Sequence, residues 1–417
     1  MTWLNEDRPW RDRLTLAVLT VLILGIFWMA LPARFQGNQS FDYSCCYEAA
    51  ARNWIAGSGY VHNDGAFAIS YPPGFSVLLA GVFLLGRWIG DSMALNLFIA
   101  FCDVAAVLAL YFAGRTVGGY WLGRIAALCL ITYPFFLWMS KQPNSEVPFL
   151  PFVLWGFCGY LRLVKGGGGK WAVLTGVCLG MAALVRPIAV LAGLLIAGCL
   201  VLFGRNQSLT RRIALACGLV AANLATIAPW ELIVKQETGK WILLSNNAGV
   251  GYIDGLTFGL QRLFKGATPV DADVLDLMER AAANSDRLRT TGGYLGFLKE
   301  EAQTHPGAFA KLMYIKIVRA WYATYEGYFE GVNKLVSLLY IVAACVGLWW
   351  MRRRSSSAEA LGIVAMVLYF WFMSVLVLPI LRYMVPATAV TMLAVGVAIL
   401  TVAERVVSGR PVHPGSA

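Results

Sequence analysis

The sequence predicts an all-α protein: a polytopic, integral-membrane helical bundle of about ten spans with interfacial helices on the outer side. Three observations carry this. Hydrophobic residues make up 59% of the 417 and charged residues only 14%, where a soluble domain has about a quarter charged. About ten apolar runs recur along the chain, each near the roughly 20 residues that cross about 30 Å of hydrocarbon. The basic residues between later runs fall on alternating sides, as the positive-inside rule requires.

The first run, Leu14 to Ala33, is longer than the apolar core of a signal peptide and reads as a retained helix, with Arg8, Arg11 and Arg13 on the cytoplasmic side. The other expected spans are 92–113, 124–140, 147–164, 171–185, 187–203, 213–232, 334–351, 360–379 and 384–403. From Trp171 to Phe203 one helix would be roughly 50 Å long, too long for one crossing, and Arg186-Pro187 divides it. The apolar run Phe75 to Ile89 stays outside this series. Were it to cross fully, every later basic connection would move to the outer side, so it is expected to be interfacial or half-inserted.

This places residues 1–232 in an N-terminal membrane module with a first outer loop at 34–91, residues 233–333 in a large outer loop, and 334–417 in C-terminal spans. Within the large loop, Asp271 to Leu288 is expected to be a soluble helix with an acidic first and basic last turn. Gly292-Gly293 is expected to break the chain. A further helix, from His305-Pro306 to about Tyr325, carries Lys311, Lys316 and Arg319 among aromatics and is expected along the membrane surface; a plain packing helix is the alternative.

The net charge of +11 would suggest nucleic acid if it lay on one soluble face. It does not: the short connections hold 16 basic residues, among them Arg115, Arg124, Lys165, Arg205, Arg352 to Arg354 and Arg410, against five acidic ones, and the remaining 18 basic and 18 acidic residues cancel. Nucleic acid is therefore not an expected partner; membrane lipid is. Arg352 to Arg354 with Ser355 to Ser357 reads as a topology anchor, and Gly166 to Gly169 with Lys170 as a linker lacking the Ser/Thr of a phosphate loop. The nine cysteines lie mostly in apolar runs, and the adjacent Cys45 and Cys46 show no spacing of a disulfide framework or zinc site.

Few residues are left that carry chemistry. Asp42 stands where the first span hands over to a surface helix; alone it reads as a cap, with an acid facing an outer cleft as the alternative. Glu146 lies at the outer end of the pair of runs from 124 to 164. It reads either as a cap for the following helix or as a second acid, catalytic or metal-binding, beside Asp42. Arg186 stands at a helix break, and Arg382 follows Pro379 in an outer turn. A membrane-edge guanidinium is costly unless it is paired, which makes it a functional candidate, with snorkelling to lipid headgroups as the plain reading. Asp103, within 92–113, is expected to pair with a neighbouring helix, and Asn96 and Asn223 to hydrogen-bond between helices.

In order along the chain stand Asp42, Tyr71-Pro72-Pro73-Gly74, Asn144-Ser145-Glu146, Leu184-Val185-Arg186-Pro187, and Pro229-Trp230 followed by Leu244-Ser245-Asn246-Asn247-Ala248-Gly249. His305-Pro306-Gly307 and Leu381-Arg382-Tyr383 with Pro386 complete the series. This order resembles membrane glycosyltransferases of the GT-C superfamily, in the group of protein O-mannosyltransferases and the lipid A aminoarabinose transferase. The resemblance implies transfer of a sugar from a polyprenyl-phosphate donor to a glycan, lipid or protein acceptor on the outer face of a cell membrane, bacterial inner membrane by expectation, with cytoplasmic termini.

On that resemblance Asp42 becomes the candidate base for, or orienter of, the acceptor hydroxyl, and Glu146 a second catalytic acid. Together they would form the oxygen ligands of a divalent cation, Mg or Mn, if one is used. Arg186 and Arg382 would grip the donor phosphate, and Tyr71, Pro72, Pro73, Trp230, Asn246 and Tyr383 would line the substrate cleft. If the phosphate leaves from the face opposite the attacking hydroxyl, the anomeric configuration inverts. Two departures stand out: related enzymes often carry a lysine before the proline pair, where this chain has Tyr71, and an Arg-Asn after Pro-Trp, where it has Glu231 and Leu232. Lys141 and Lys235 are the alternative cations. A transporter or lipid flippase is the rival reading; it would gather its ionisable groups near the midplane on broken helices.

Overall fold

The computed structural model describes residues 9–37, 40–204, 206–260, 270–325, 327–353 and 357–408. Arg8, Arg205, Arg354, Ser355 and Arg410, read above as topology residues, lie outside them. The described residues are helical, with one isolated antiparallel bridge between Val61 and Phe67.

Seven helices among the described residues are long and apolar enough to cross a membrane: Trp10–Ala30, Asp91–Gly118, Glu146–Val164, Leu209–Thr238, Glu330–Arg353, Ser357–Leu376 and Leu381–Val407. The chain is a multi-pass membrane protein. The expected ten spans shrink because three are short. The run 124–140 divides into Tyr120–Ile131 and Pro134–Met139. Pro134 forces Tyr133 into an extended conformation, so the helix stops before it. Gly169–Val185 and Pro187–Phe203 are likewise short apolar helices, and they meet at Arg186 as the sequence predicts. Arg186 is extended (φ −142°, ψ 124°) because the ring of Pro187 excludes helical geometry from the residue before it. Gly74–Ile89, the run set outside the series, has 16 residues, about 24 Å of helix.

The fold separates into two compact units. The first comprises Met1–Leu244, Tyr340–Met366 and Thr388–Ala417, the second Ser245–Leu339 and Val367–Ala387. In the first, helices approach closely over small residues. A Cβ at Gly180 would lie 2.7 Å from Thr226, and Asn223 donates to the Gly176 carbonyl at 3.3 Å, the interhelical role expected of it. Asn96 Oδ1, by contrast, is buried with no hydrogen-bond partner among the described residues. Connection charges are used in pairs: Arg115 binds Asp12, and Lys165 binds Glu359 at 2.6 Å. Lys141 is buried and donates to the carbonyls of Phe27 and Leu31, both at 3.0 Å. It thus satisfies carbonyls at the end of the first span that no intrahelical donor reaches.

The second unit packs short helices about Leu256, Phe258, Leu277, Met278, Tyr294, Phe297 and Leu312. Here three expectations need correction. The helix expected over 271–288 ends at Ala283, and Ser285–Leu288 follows. Gly292-Gly293 does not break the chain: Thr290 caps a helix over Thr291–Thr304 by accepting from the Gly293 N–H at 3.1 Å. The basic helix is Pro306–Arg319, and it is a packing helix. Lys316 and Arg319 are 0% and 1% exposed, while Lys311 is held by Asp271 at 2.8 Å and Asp273 at 3.0 Å. Its cations face protein rather than lipid headgroups.

Candidate active site

The first unit gathers Asp42, Tyr47, Tyr71, Glu146 and Arg186 by way of two chain reversals. One follows the first span. Asp42 is itself helical and makes no capping hydrogen bond, so the cap reading fails. It leads into a π-helical turn, Tyr43–Tyr47, in which Cys45 and Cys46 are joined by a disulfide. That bond links sequence neighbours, which a search for a spaced framework passes over. Hydrogen bonding five residues apart brings Tyr47 one turn from Asp42, whereas α-helical spacing would rotate it away.

The second reversal is the turn 140–146 before the Glu146–Val164 helix. Lys141 has a left-handed backbone there (φ 74°), and Asn144 Oδ1 accepts the Ser40 N–H at 3.1 Å, which ties this turn to the chain just before Asp42. The Asn144-Ser145-Glu146 turn is held in this way against Ser40, two residues before Asp42.

Arg186 closes the arrangement. Its Nη1 donates to Ser145 Oγ at 2.9 Å and pairs with the Glu146 carboxylate. Glu146 is 3% exposed, so the charge could not be tolerated there without such a partner. Gly74 makes the approach possible: a Cβ on it would lie 2.7 Å from the Leu184 carbonyl carbon and oxygen. Only glycine lets the start of the Gly74–Ile89 helix touch the residues that lead into Arg186. Gly74 thus supports the position of the arginine, and of the residues before it Pro72 and Pro73 are buried and Tyr71 half-buried.

Tyr47 stands among these groups and was missed by the sequence reading. Its ring lies 5.0 Å from those of Tyr71 and Phe75, and its phenol is pushed well above the ordinary tyrosine pKa, chiefly by burial, with Asp42 adding to the shift and Arg186 opposing it. It therefore remains a neutral hydrogen-bond donor. No sequence signal marks it, because its place depends on the π turn.

Trp230 belongs to a neighbouring aromatic group. It stacks on Phe67 at 5.7 Å and meets Tyr60 edge-on at 5.4 Å, and burial raises the Tyr60 phenol to about 12. Its indole donates to the Leu244 carbonyl at 2.8 Å, and Glu231 accepts the Leu244 N–H, also at 2.8 Å. The departure at Glu231 thus has a local use: Trp230 and Glu231 clamp Leu244, whose backbone is left-handed (φ 61°).

Arg382, Tyr383 and Asn246 belong to the second unit. Arg382 and Tyr383 are half-buried at the start of the last helix, and Asn246 is exposed in the turn before Ala248–Thr257. Tyr325 feels the charges of Asp254 and Arg382; burial first, then Asp254, raises its phenol. The Leu381 N–H donates to the Ala323 carbonyl at 2.8 Å, which fixes the turn that carries Arg382.

The donor set does not fit a divalent cation shared by Asp42 and Glu146. Among the described residues no three His, Cys, Asp or Glu side chains gather to hold a metal ion, and the Glu146 carboxylate is engaged by a guanidinium. Such a cation prefers six or more oxygen ligands, which one remaining carboxylate does not approach.

Comparison with known proteins agrees with the order of motifs. Residues 70–233 match the family model of dolichyl-phosphate-mannose-protein mannosyltransferases, a stretch that holds Tyr71, Glu146, Arg186 and Trp230 but neither Asp42 nor Arg382. Among solved structures, the oligosaccharyltransferase AglB from Archaeoglobus fulgidus, in complex with an inhibitory peptide and a dolichol-phosphate, is similar at 13% identity and a TM-score of 0.58. The alignment covers 98% of this chain and 53% of that one. The same archaeal enzyme tethered to an acceptor peptide aligns at 12% identity and a TM-score of 0.56, over 98% and 51%. The chain thus spans about half the length of the archaeal enzymes it matches. ArnT from Cupriavidus metallidurans bound to undecaprenyl phosphate aligns at 14% identity over 92% and 75%, with a TM-score of 0.43, too low to bear on function. Among curated proteins none matches. The fold is that of the archaeal oligosaccharyltransferase structures with which the chain aligns.

Proposed function

We propose that this protein transfers a sugar from a polyprenyl-phosphate carrier to an acceptor on the outer face of a cell membrane, with inversion at the anomeric carbon. The observation that carries the reading is that Tyr47, buried at the end of the turn that begins at Asp42, feels the charges of both Asp42 and Arg186, so that a carboxylate and a guanidinium from separate elements act on one neutral phenol. Asp42 receives the proton of the acceptor hydroxyl as its oxygen bonds to the anomeric carbon. The bond from that carbon to the phosphate oxygen breaks, and the electron pair leaves with the polyprenyl phosphate. No covalent enzyme intermediate is needed. Positioned acid–base groups contribute about 10²- to 10⁴-fold.

Arg186 faces the charge that grows on the departing phosphate. Its pairing with Glu146 holds the guanidinium in one place, so the positive charge is oriented before substrate arrives. Glu146 thereby becomes an orienting residue rather than a second base. Tyr47 supplies a hydrogen bond whose protonation does not change over the working pH range. Arg382 is proposed separately as a phosphate contact on the chemistry of the guanidinium alone. Lipid-linked glycan, lipid A, cell-wall polymer and protein all qualify as acceptors. The match of residues 70–233 to the mannosyltransferase family supports the donor class.

The test is to supply inverted and right-side-out membrane vesicles containing this protein with labelled polyprenyl-phosphate sugar and to follow the label by mass analysis. Release of polyprenyl phosphate with label appearing in a membrane glycolipid or polymer is expected, at the outer face. Donor left intact in both vesicle types, with the protein present and folded, contradicts the reading.

A further inference from the structure

Asp103 lies inside the Asp91–Gly118 span and is 4% exposed. Sequence reading expects it to pair with a neighbouring helix. Its one polar side-chain neighbour is the uncharged Ser140, whose hydroxyl already donates to the Phe136 carbonyl at 3.0 Å. Asp103 Oδ2 is buried with no hydrogen-bond partner among the described residues. A buried polar atom in that condition costs about 1–3 kcal/mol, so it calls for a ligand.

The space for one is present. Asp103, Ala106, Ser140, Glu146 and Val147 line a cavity of about 10 Å³, which is about the room one water molecule needs. The wall is polar on the Asp103, Ser140 and Glu146 sides and apolar elsewhere, and a water molecule requires two to four polar partners. Glu146, on the same wall, is the partner of Arg186.

We propose that this cavity binds a single water molecule that bridges Asp103 to Glu146, and that Asp103 is a positioning residue for the Glu146–Arg186 pair. The water holds one end of the Glu146 carboxylate region while Arg186 holds the other, so the guanidinium is fixed from behind by a polar chain that reaches into the Asp91–Gly118 span. The positioning role rests on the transfer reaction proposed above; the water site does not.

The water is tested first by infrared difference spectra in membranes, wild type minus Ala106→Val, recorded in ordinary and ¹⁸O-labelled water. One isotope-sensitive band of an isolated water is expected to be lost. Val147→Ile, which adds a methyl group to the same wall, serves where Ala106→Val does not accumulate. Spectra with no such band difference overturn the water site. The bridge is tested by thermal unfolding in detergent of Asp103→Asn, Glu146→Gln and the double variant. The double variant is expected to lose no more than the worse single variant, and additive losses overturn the coupling. In the transfer assay, Asp103→Leu is expected to lower kcat about tenfold, the size of one lost hydrogen bond, at unchanged KM for donor. Asp103→Asn restores the rate. Equal loss in both variants overturns the positioning role. Wild-type protein that transfers nothing defeats the reaction instead, and leaves the spectra and unfolding cycle to decide the water bridge.

Discussion

Arg186 is ion-paired to Glu146, and the pair joins the extended break after the Gly169–Val185 helix to the first turn of the Glu146–Val164 helix. An acid that the sequence offers as a cap, a second catalyst or a metal ligand is thus the counter-ion of Arg186, the arginine proposed to face the donor phosphate. Removing either partner takes from the other the charge that offsets its burial.

Glu146→Gln and Arg186→Gln are each expected to destabilise by about 3–5 kcal/mol, the usual cost of breaking a buried pair from one side. Thermal unfolding in detergent measures this. The double variant should be more stable than the sum of the two losses implies.

Tyr47→Phe is expected to slow transfer about tenfold, the effect of one hydrogen bond, by the same factor at every pH between about 6 and 9. The phenol lies above its ordinary pKa of about 10 and so stays neutral there. A loss confined to alkaline pH would show instead that Tyr47 works as a base.

Gly74→Ala is expected to cost about 1–3 kcal/mol by overpacking against the Leu184 backbone. Because the displaced residues lead into Arg186, transfer should fall further than stability does. Kinetics on the folded fraction separate the two effects.

Lys316 gives the pH-dependent prediction. It is wholly buried in the second unit, and burial lowers its ammonium to about 7, against about 10.4 unfolded. Between these values the unfolded chain holds a proton that the folded chain has released, so stability rises with pH, by about 1.4 kcal/mol per unit. Below about 7 both states are charged and the penalty is complete. Lys316→Met should therefore stabilise the protein most at and below neutral pH, with the gain shrinking toward pH 10. Unfolding midpoints across that range measure it.

The spans were legible because apolar runs and Pro187 act locally: they fix helix length and the break at Arg186 whatever surrounds them. Pro134 carries the same kind of signal, and it divides a run that hydropathy alone joins. Asp42 and Arg186 enter the candidate site through the order of motifs, and in the structure the charges of both act on Tyr47. What escaped depends on tertiary contacts or on backbone geometry without a composition signal. Tyr47 owes its position to a π turn. Lys316 and Arg319 look like surface cations until Phe258 and Glu330 are seen to enclose Arg319, with the guanidinium 4.9 Å from the ring and 3.3 Å from the carboxylate. Lys141 has the charge of a phosphate ligand, yet it is spent on the carbonyls of Phe27 and Leu31.

The most direct measurement is the rate of sugar transfer from a polyprenyl-phosphate donor by Asp42→Asn in membrane vesicles, at equal abundance and equal unfolding midpoint. A fall of about 10²-fold or more, with donor binding retained, is the predicted result. Transfer at the wild-type rate would contradict the assignment of Asp42 as the base and, with it, the mechanism built around Tyr47 and Arg186.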